Sequence, residues 1–498
     1  MKRRTFRTTA IVCSLVVLSG CASRLDRAEI VAAQTGGAPA AAGAGAQAGV
    51  DPSTIGGVAP GTDTGTGAVA PGVDPGTAPG SVTEPGSTGT APGTGAAGPA
   101  TTTGGTTTTD STGSKGNTGT TGATGSTAKA NNLPITVGFV GSITGLYGTS
   151  FRPALNAIQA NITDLNAKGG VNGHPIKLIV ADDAGDPSTY VAQLRRMVES
   201  DKVLAFVGNT HAASLSQAAI DYVESKQIPI LDGDDSNLLA PTSHMIFGFG
   251  AAGLGLNGTE FAAARDLVGK GKKAGFISCQ EVQQCADYAQ GFAEYAKKAG
   301  FTPVFAGRAS LTAPDFTANC LQARNAQAEI LFLRIDINSV KRIARDCSRQ
   351  GYKPVYVTAP VLTDPSYPSN PAFDKIITPS QQFPFINDKL PEEKRFRSVL
   401  SRVISVDQIF ASHAQGWNVA NIFAEAVKRG IAPDATPSTE LILKGLWSFK
   451  NVTLGGTSQP LTYVKGQPPA HLKNVCAFPM QIQNGKWTAP FGNKPSCL

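Results

Sequence analysis

Residues 135–183 read ITVGFVGSITGLYGTSFRPALNAIQANITDLNAKGGVNGHPIKLIVADD. The opening residues, 135–140, are apolar and rich in β-branched side chains, and Gly141-Ser142 ends them. That pattern predicts a buried strand. After a glycine-containing loop, Phe151, Leu155, Ile158, Ile162 and Leu165 recur at steps of three and four, one apolar stripe on a helix. Thr149 or Ser150 can cap its start, and Gly169-Gly170 stops it. Gly173 and Pro175 then turn the chain into a second apolar run, 176–180. Strand, helix and strand in about fifty residues make a βαβ unit, and with it a parallel sheet and a right-handed crossover.

Upstream, the chain looks unlike a folded domain. Lys2, Arg3, Arg4 and Arg7 precede an apolar run at 10–18, the layout of a secretory signal in 1–20. That run is short for a membrane span. Leu18-Ser19-Gly20-Cys21 resembles the bacterial lipobox, which implies acylation of Cys21 and attachment to a membrane through the lipid. Residues 21–130 are almost entirely Gly, Ala, Thr, Pro and Ser. So few large apolar side chains cannot offset the entropy of ordering them, and a disordered tether is expected. A flexible chain of that length spans roughly 50–65 Å. Its threonine-rich part, 101–127, permits O-glycosylation.

Of the 498 residues, then, those from about 131 onward form the folded body, enough for two α/β lobes. The net charge of +7 is spread out, without a basic cluster interleaved with aromatics, so nucleic acid is not an expected partner. Past the leader lie Cys279, Cys285, Cys320, Cys347, Cys476 and Cys497. In an exported chain an even count predicts disulfides. Spacing favours Cys279–Cys285, Cys320–Cys347 and Cys476–Cys497, although six cysteines allow fifteen pairings. The rival is a zinc site, but no C-x2-C occurs and the five histidines are scattered.

Downstream of the first βαβ unit the alternation continues. Strands are expected at 203–207 and 229–231, with helices between them. The pattern restarts near 250–255, with strands at 274–278, 303–306, 330–333 and 355–358. Helices around 396–406 and 416–428 and a strand at 475–482 follow. The fold class is α/β, with helices on both faces of parallel sheets.

The first strand ending in Gly141-Ser142, the Gly145-Leu146-Tyr147-Gly148 loop, the phrase 164–173 (DLNAKGGVNG) and Asp182-Asp183 together resemble the type I periplasmic solute-binding proteins of the branched-chain amino acid class, receptors for ATP-driven importers. The resemblance covers about 133–490. It implies two doubly wound parallel-sheet lobes joined by a multi-strand hinge: 131–252 plus 376–450 as the first, 253–375 plus 451–498 as the second. It also implies ABC permease subunits and a small-molecule solute as partners.

Ligands of open α/β sheets bind beyond the carboxyl ends of strands. The loop after 203–207 carries Thr210, His211, Ala212 and Ser214 at a helix start, where free amides favour a carboxylate. In the resembled family this loop is serine-rich; here alanines replace two of the serines. The next strand end carries Asp234, Asp235 and Ser236, able to receive an ammonium or hydroxyls but equally suited to a solvated turn. Tyr288 matches a cleft-lining tyrosine of the family, and core packing is its alternative role. Tyr147 can cover an apolar ligand group. Asp336 can accept a ligand donor or cap the following helix. Val361 falls where amino-acid-binding members place an acid for the substrate amine, so a leucine-like ligand is not implied.

The chain has no G-x-S-x-G elbow, H-E-x-x-H or Walker A motif, so neither a catalyst nor a cofactor site is expected. Asp182 and Asp183, adjacent on a strand, point to opposite faces and are expected to pin a loop. The expected function is a lipid-anchored extracytoplasmic receptor that captures a small polar solute, amino-acid-like, amide or organic acid, and delivers it to an ABC importer. The alternatives are a ligand-sensing domain for a signalling partner and an envelope protein with a vestigial cleft.

Overall fold

The computed structural model describes residues 131–209, 214–232, 237–251, 255–469 and 475–498. These fall within one compact unit, Gly116–Leu498. The expected signal peptide 1–20, the expected lipidation site Cys21 and the expected tether 21–130 lie outside the described residues, as do Thr210, His211, Ala212, Asp234, Asp235 and Ser236.

The quoted stretch forms β1 (Ile135–Gly141), α1 (Gly148–Ala167) and β2 (Ile176–Asp182). β1 and β2 run parallel, with Ile135 opposite Ile176 and Gly141 opposite Asp182. The glycine-rich phrase after α1 has a structural role. Gly169 and Gly170 take positive φ, as the end of a helix requires. Asn166 clasps Ile176, accepting from its backbone N–H and donating to its carbonyl, each at 2.8 Å. The buried His174 ring lies 2.9 Å from the Leu133 carbonyl and 3.0 Å from that of Ala432.

α2 (Pro187–Glu199), β3 (Phe206–Asn209), α3 (Gln217–Lys226), β4 (Ile230–Asp232) and β5 (Ile246–Phe247) complete a five-stranded sheet in the order β2-β1-β3-β4-β5. All its pairings are parallel. Tyr190, Leu194, Met197, Ile220 and Val223 of α2 and α3 bury one face. The other face lies under α1 and under residues far downstream in sequence.

The second half opens with α4 (Gly255–Val268), β6 (Lys273–Cys279), α5 (Gln283–Lys298), β7 (Thr302–Ala309), α6 (Thr317–Asn325), β8 (Ile330–Arg334), α7 (Ile337–Arg349), β9 (Val355–Thr358) and β10 (Ile377–Ser380). Near the end of the chain come β11 (Cys476–Gln483), β12 (Lys486–Thr488) and β13 (Ser496–Cys497). Their sheet runs β12-β11-β10-β9-β8-β6-β7, with β13 on β11. β6 to β10 are parallel, whereas β11 is antiparallel to β10, β12 and β13. Three disulfides, Cys279–Cys285, Cys320–Cys347 and Cys476–Cys497, lie within this half. They use all six downstream cysteines, which removes the zinc alternative.

Between the two passages through the second sheet, α8 (Pro391–Leu400), α9 (Ala411–Gly430) and α10 (Thr439–Trp447) return to the first. The expected boundaries at 376 and 450 shift accordingly. β10 belongs to the second sheet because it pairs with β9 and β11. Val452, Leu454, Leu461 and Tyr463 belong to the first half because they pack in its core. Arg395 anchors the returning chain: it bonds Asp164 at 2.8 Å, Asn161 at 2.8 Å and Glu392 at 2.9 Å, and its guanidinium lies over Trp417. One apolar cluster joins the halves, bringing Ala157 of α1, Phe383, Phe396 and Trp417 against Met480 of β11.

α1 and α9 touch almost backbone to backbone. A Cβ at Gly416 would sit 2.0 Å from the Ala154 carbonyl oxygen. Gly416→Ala is therefore expected to cost about 3 kcal/mol in chemical unfolding, at the upper end of overpacking costs. A loss under about 0.5 kcal/mol would mean that the two helices can separate freely.

Candidate functional site

Asp182 and Asp183, at the end of β2, shape the loop that leads into α1. Asp182 accepts from the backbone N–H groups of Ile143, Thr144 and Ala184 and from the Thr144 hydroxyl. Burial pushes its carboxyl up, but these bonds outweigh it and hold the group below the usual carboxylate range. Asp183 faces the other way and accepts from the Ser142 hydroxyl at 2.8 Å and the Gly185 N–H at 2.7 Å. It is fully buried, and that burial raises its pKa despite the bonds. Gly145, at φ +73°, passes so close to the Ala184 carbonyl that a Cβ would lie 2.9 Å from it. The loop so fixed presents Tyr147.

Tyr147, Ser150 and Phe151 form one wall of a cavity of about 80 Å3. The facing wall comes from strand ends and helix starts of the second half: Cys279 ending β6, Val282 just before α5, Cys285 and Tyr288 of α5, Arg334 ending β8 with Ile335 and Asp336 after it, and Ala359, Val361 and Leu362 after β9. Tyr147, Tyr288, Asp336 and Val361, all singled out from the sequence, thus share one cavity. Ser214 is buried beside Asp183, away from that lining. A second hollow of about 510 Å3 borders the same loop, between Thr144, Thr149 and Arg152 on one side and Ile337, Asp364 and Pro365 on the other.

Most of the cavity wall is apolar or aromatic, and its polar side chains are Ser150, Gln284, Arg334 and Asp336 with the phenols of Tyr147 and Tyr288. Asp336 caps α7, its Oδ1 accepting from the N–H groups of Asn338 at 2.9 Å and Ser339 at 3.2 Å. Its Oδ2 is buried and accepts no hydrogen bond among the described residues. Tyr288 is 3% exposed and serves both roles weighed for it, since it lines the cavity and packs with Phe276 and Phe292 in the core.

Arg334 opens the strand-end segment 334–338, which the resemblance matches to a cleft-lining loop without giving Arg334 a role of its own. It ends the otherwise apolar strand ILFLR, and a single cation closing such a run was the available signal. Its guanidinium lies 4.4 Å from the centre of the Tyr288 ring, within cation–π range. Nη2 lies 2.7 Å from Oε1 of Glu260 on α4, and both side chains are almost wholly buried. Burial pushes the Glu260 carboxyl up to about 7, against the opposing pull of Arg334.

The model of a family described as periplasmic binding protein matches residues 134–486. An amino acid binding protein of Pseudomonas aeruginosa is 28% identical over 209 residues, 40% of this chain and 53% of that protein. The chain thus spans about half the length of that relative. A branched chain amino acid ABC transporter structure from Thermus thermophilus, with bound valine, matches with a TM-score of 0.61 at 15% identity, over 74% of this chain and 97% of that one. An ABC transporter solute binding protein from R. palustris, in complex with benzoate, matches with a TM-score of 0.59 at 14% identity, over 73% and 97%. At such identities the two structures speak for the fold.

The double role of Asp336 separates cleanly by mutation. Asp336→Ala removes the cap of α7 and is expected to lower stability by about 1 kcal/mol, whereas Asp336→Asn keeps a capping oxygen and costs about 0.3 kcal/mol or less. Urea unfolding of both variants checks this; equal losses would mean that the cap does not matter.

Proposed function

Because the chain belongs to the periplasmic binding protein family, we propose that it is an extracytoplasmic receptor that closes its two halves on a small solute and delivers it to an ABC importer. The observation that carries this reading is a small cavity walled by strand ends and helix starts of both halves. A ligand touching both walls stabilises the closed arrangement and no other, which is how lobe closure is selected. Apolar walls with few polar groups favour a solute with an apolar body and a polar head over one that is polar throughout. Valine and benzoate, the solutes in the two structures compared above, are of that kind. The receptor carries out no reaction on its solute.

Thr210, His211 and Ala212 follow β3, and Asp234, Asp235 and Ser236 follow β4. Those strand-end positions support them, together with Tyr147, as the first half's contribution to the site, and Tyr288, Asp336 and Val361 as the second half's. Acylation of Cys21 anchors the chain at the membrane, and 21–130 is the tether. Among the described residues no helix is long and apolar enough to cross a membrane.

A thermal-shift screen over amino acids, amides, aromatic acids, polyols and polyamines tests the receptor. A true solute at a hundredfold excess over its Kd is expected to stabilise the protein by about 2.7 kcal/mol. No shift from any class would refute the reading. Intact mass of the membrane-extracted protein is expected to give an acylated chain beginning at Cys21; an unacylated chain would refute the anchor.

A further inference from the structure

A buried charge at the wall of a binding cavity needs a counter-charge whether or not the solute is present. In this structure Glu260 supplies it. The Glu260 side chain is 1% exposed and that of Arg334 6%. Nη2 of Arg334 and Oε1 of Glu260 meet at 2.7 Å, whereas Oε2 of Glu260 and Nε of Arg334 have no hydrogen-bond partner among the described residues. The pair meets through that one charge-assisted contact, while Arg334 itself lines the cavity. Such a pair is open to exchange, because an anion in the cavity can satisfy both the charge and the unused donors of Arg334. The guanidinium fork suits a carboxylate.

We propose that Arg334 reads the anionic head of the solute, a carboxylate on an apolar body, and that Glu260 takes up a proton from solvent as the solute replaces it as the counter-charge of Arg334. This rests on the receptor reading above. Two carboxylates sharing one buried cation cannot both stay ionised at low cost, so the one sealed in the core gives way.

Among the described residues, the groups packed around Glu260 offer no other proton partner. On α4 itself Arg265 pairs with Asp266. On α5 the phenols of Tyr288 and Tyr295 are the titratable groups on the packed side. Asp287 accepts from Gln283, and Glu294, Lys297 and Lys298 are exposed. β9 brings only Tyr356, while β10 and β11 bring no charged side chain. β13 brings a disulfide cysteine. Asp336, the other acid at the cavity, accepts from two amides at the start of α7 through Oδ1, which leaves its Oδ2 for a hydrogen-bond donor on the solute.

The sign of the pH dependence follows. Glu260 is already half protonated near pH 7 in the free protein, and the bound carboxylate raises its pKa further. The complex therefore holds more protons than the free protein above about pH 7, and affinity falls as pH rises, by up to about tenfold per unit.

Calorimetric titration of the full chain with paired probes, benzoate against benzamide and hexanoate against hexanamide, tests this in two buffers of different ionisation enthalpy. The acids are expected to bind at least tenfold tighter than their amides at about pH 6, and to draw in close to one proton at about pH 8. Glu260→Gln is expected to abolish proton uptake, flatten the pH profile and tighten acid binding at about pH 8, which a merely damaged fold would not do. Arg334→Gln is expected to collapse the preference of acid over amide. Equal binding of acid and amide, or acid binding without proton uptake, would overturn the proposal and leave the receptor intact. So would binding of some other class in the solute screen with none of these acids. Absence of any ligand in that screen would overturn both.

Discussion

The structure depends on the contact of α9 with α1. A parallel sheet must be covered on both faces, since neither face can be left to water. The first five strands bring α2 and α3 for one face and only α1 for the other. The missing cover is 250 residues away in sequence, and the chain must come back to supply it. α9 fits because Gly416 lets its backbone meet that of α1 at Ala154, and because Arg395 ties the incoming α8 to Asp164 and Asn161. The second sheet has the converse need: β11 must pair with β10 after the chain has left and returned. Two sheets that share one chain in this way are joined by several crossings, and a gap between their strand ends follows from the connectivity.

That gap gains its chemistry from how each wall is stiffened. The wall on the first half is a short loop pinned by two aspartates pointing in opposite directions, so Tyr147 is set by a network of hydrogen bonds in the loop itself. The wall on the second half is stiffened by the Cys279–Cys285 disulfide, by the cap on α7 and by the stacked Arg334 and Tyr288. A solute entering the cavity meets few polar atoms, and those it meets are preorganised. This is the arrangement by which a receptor discriminates among small molecules with little area to work with.

Much of this was legible in the sequence, and the reasons for what was not are physical. The first βαβ unit is carried by local signals: an apolar strand, a 3.6-residue stripe and glycines that stop a helix. Tyr288, Asp336 and Val361 were singled out by their match to cleft positions of the resembled family, and Tyr147 by its place in the loop after the first strand, where open α/β sheets bind ligands. β10 was missed because four residues containing Pro379 hold no local strand preference, and its pairing partners lie far off on either side. α10 and the packing of 452–463 into the first core were missed for the same reason: the surface they bury belongs to residues hundreds of positions earlier. Glu260 was invisible within an alanine-rich helix, because nothing in TEFAAARD reveals that one acid faces a cation from a strand seventy residues later.

The account stands on the two halves moving together around a solute. Spin labels on Lys226 of α3 and Gln322 of α6, both exposed, would report the distance between the halves directly. With a stabilising solute bound, the distance distribution is expected to shift by several ångströms and to narrow. A solute that binds and stabilises the protein while leaving that distribution unchanged would contradict the account.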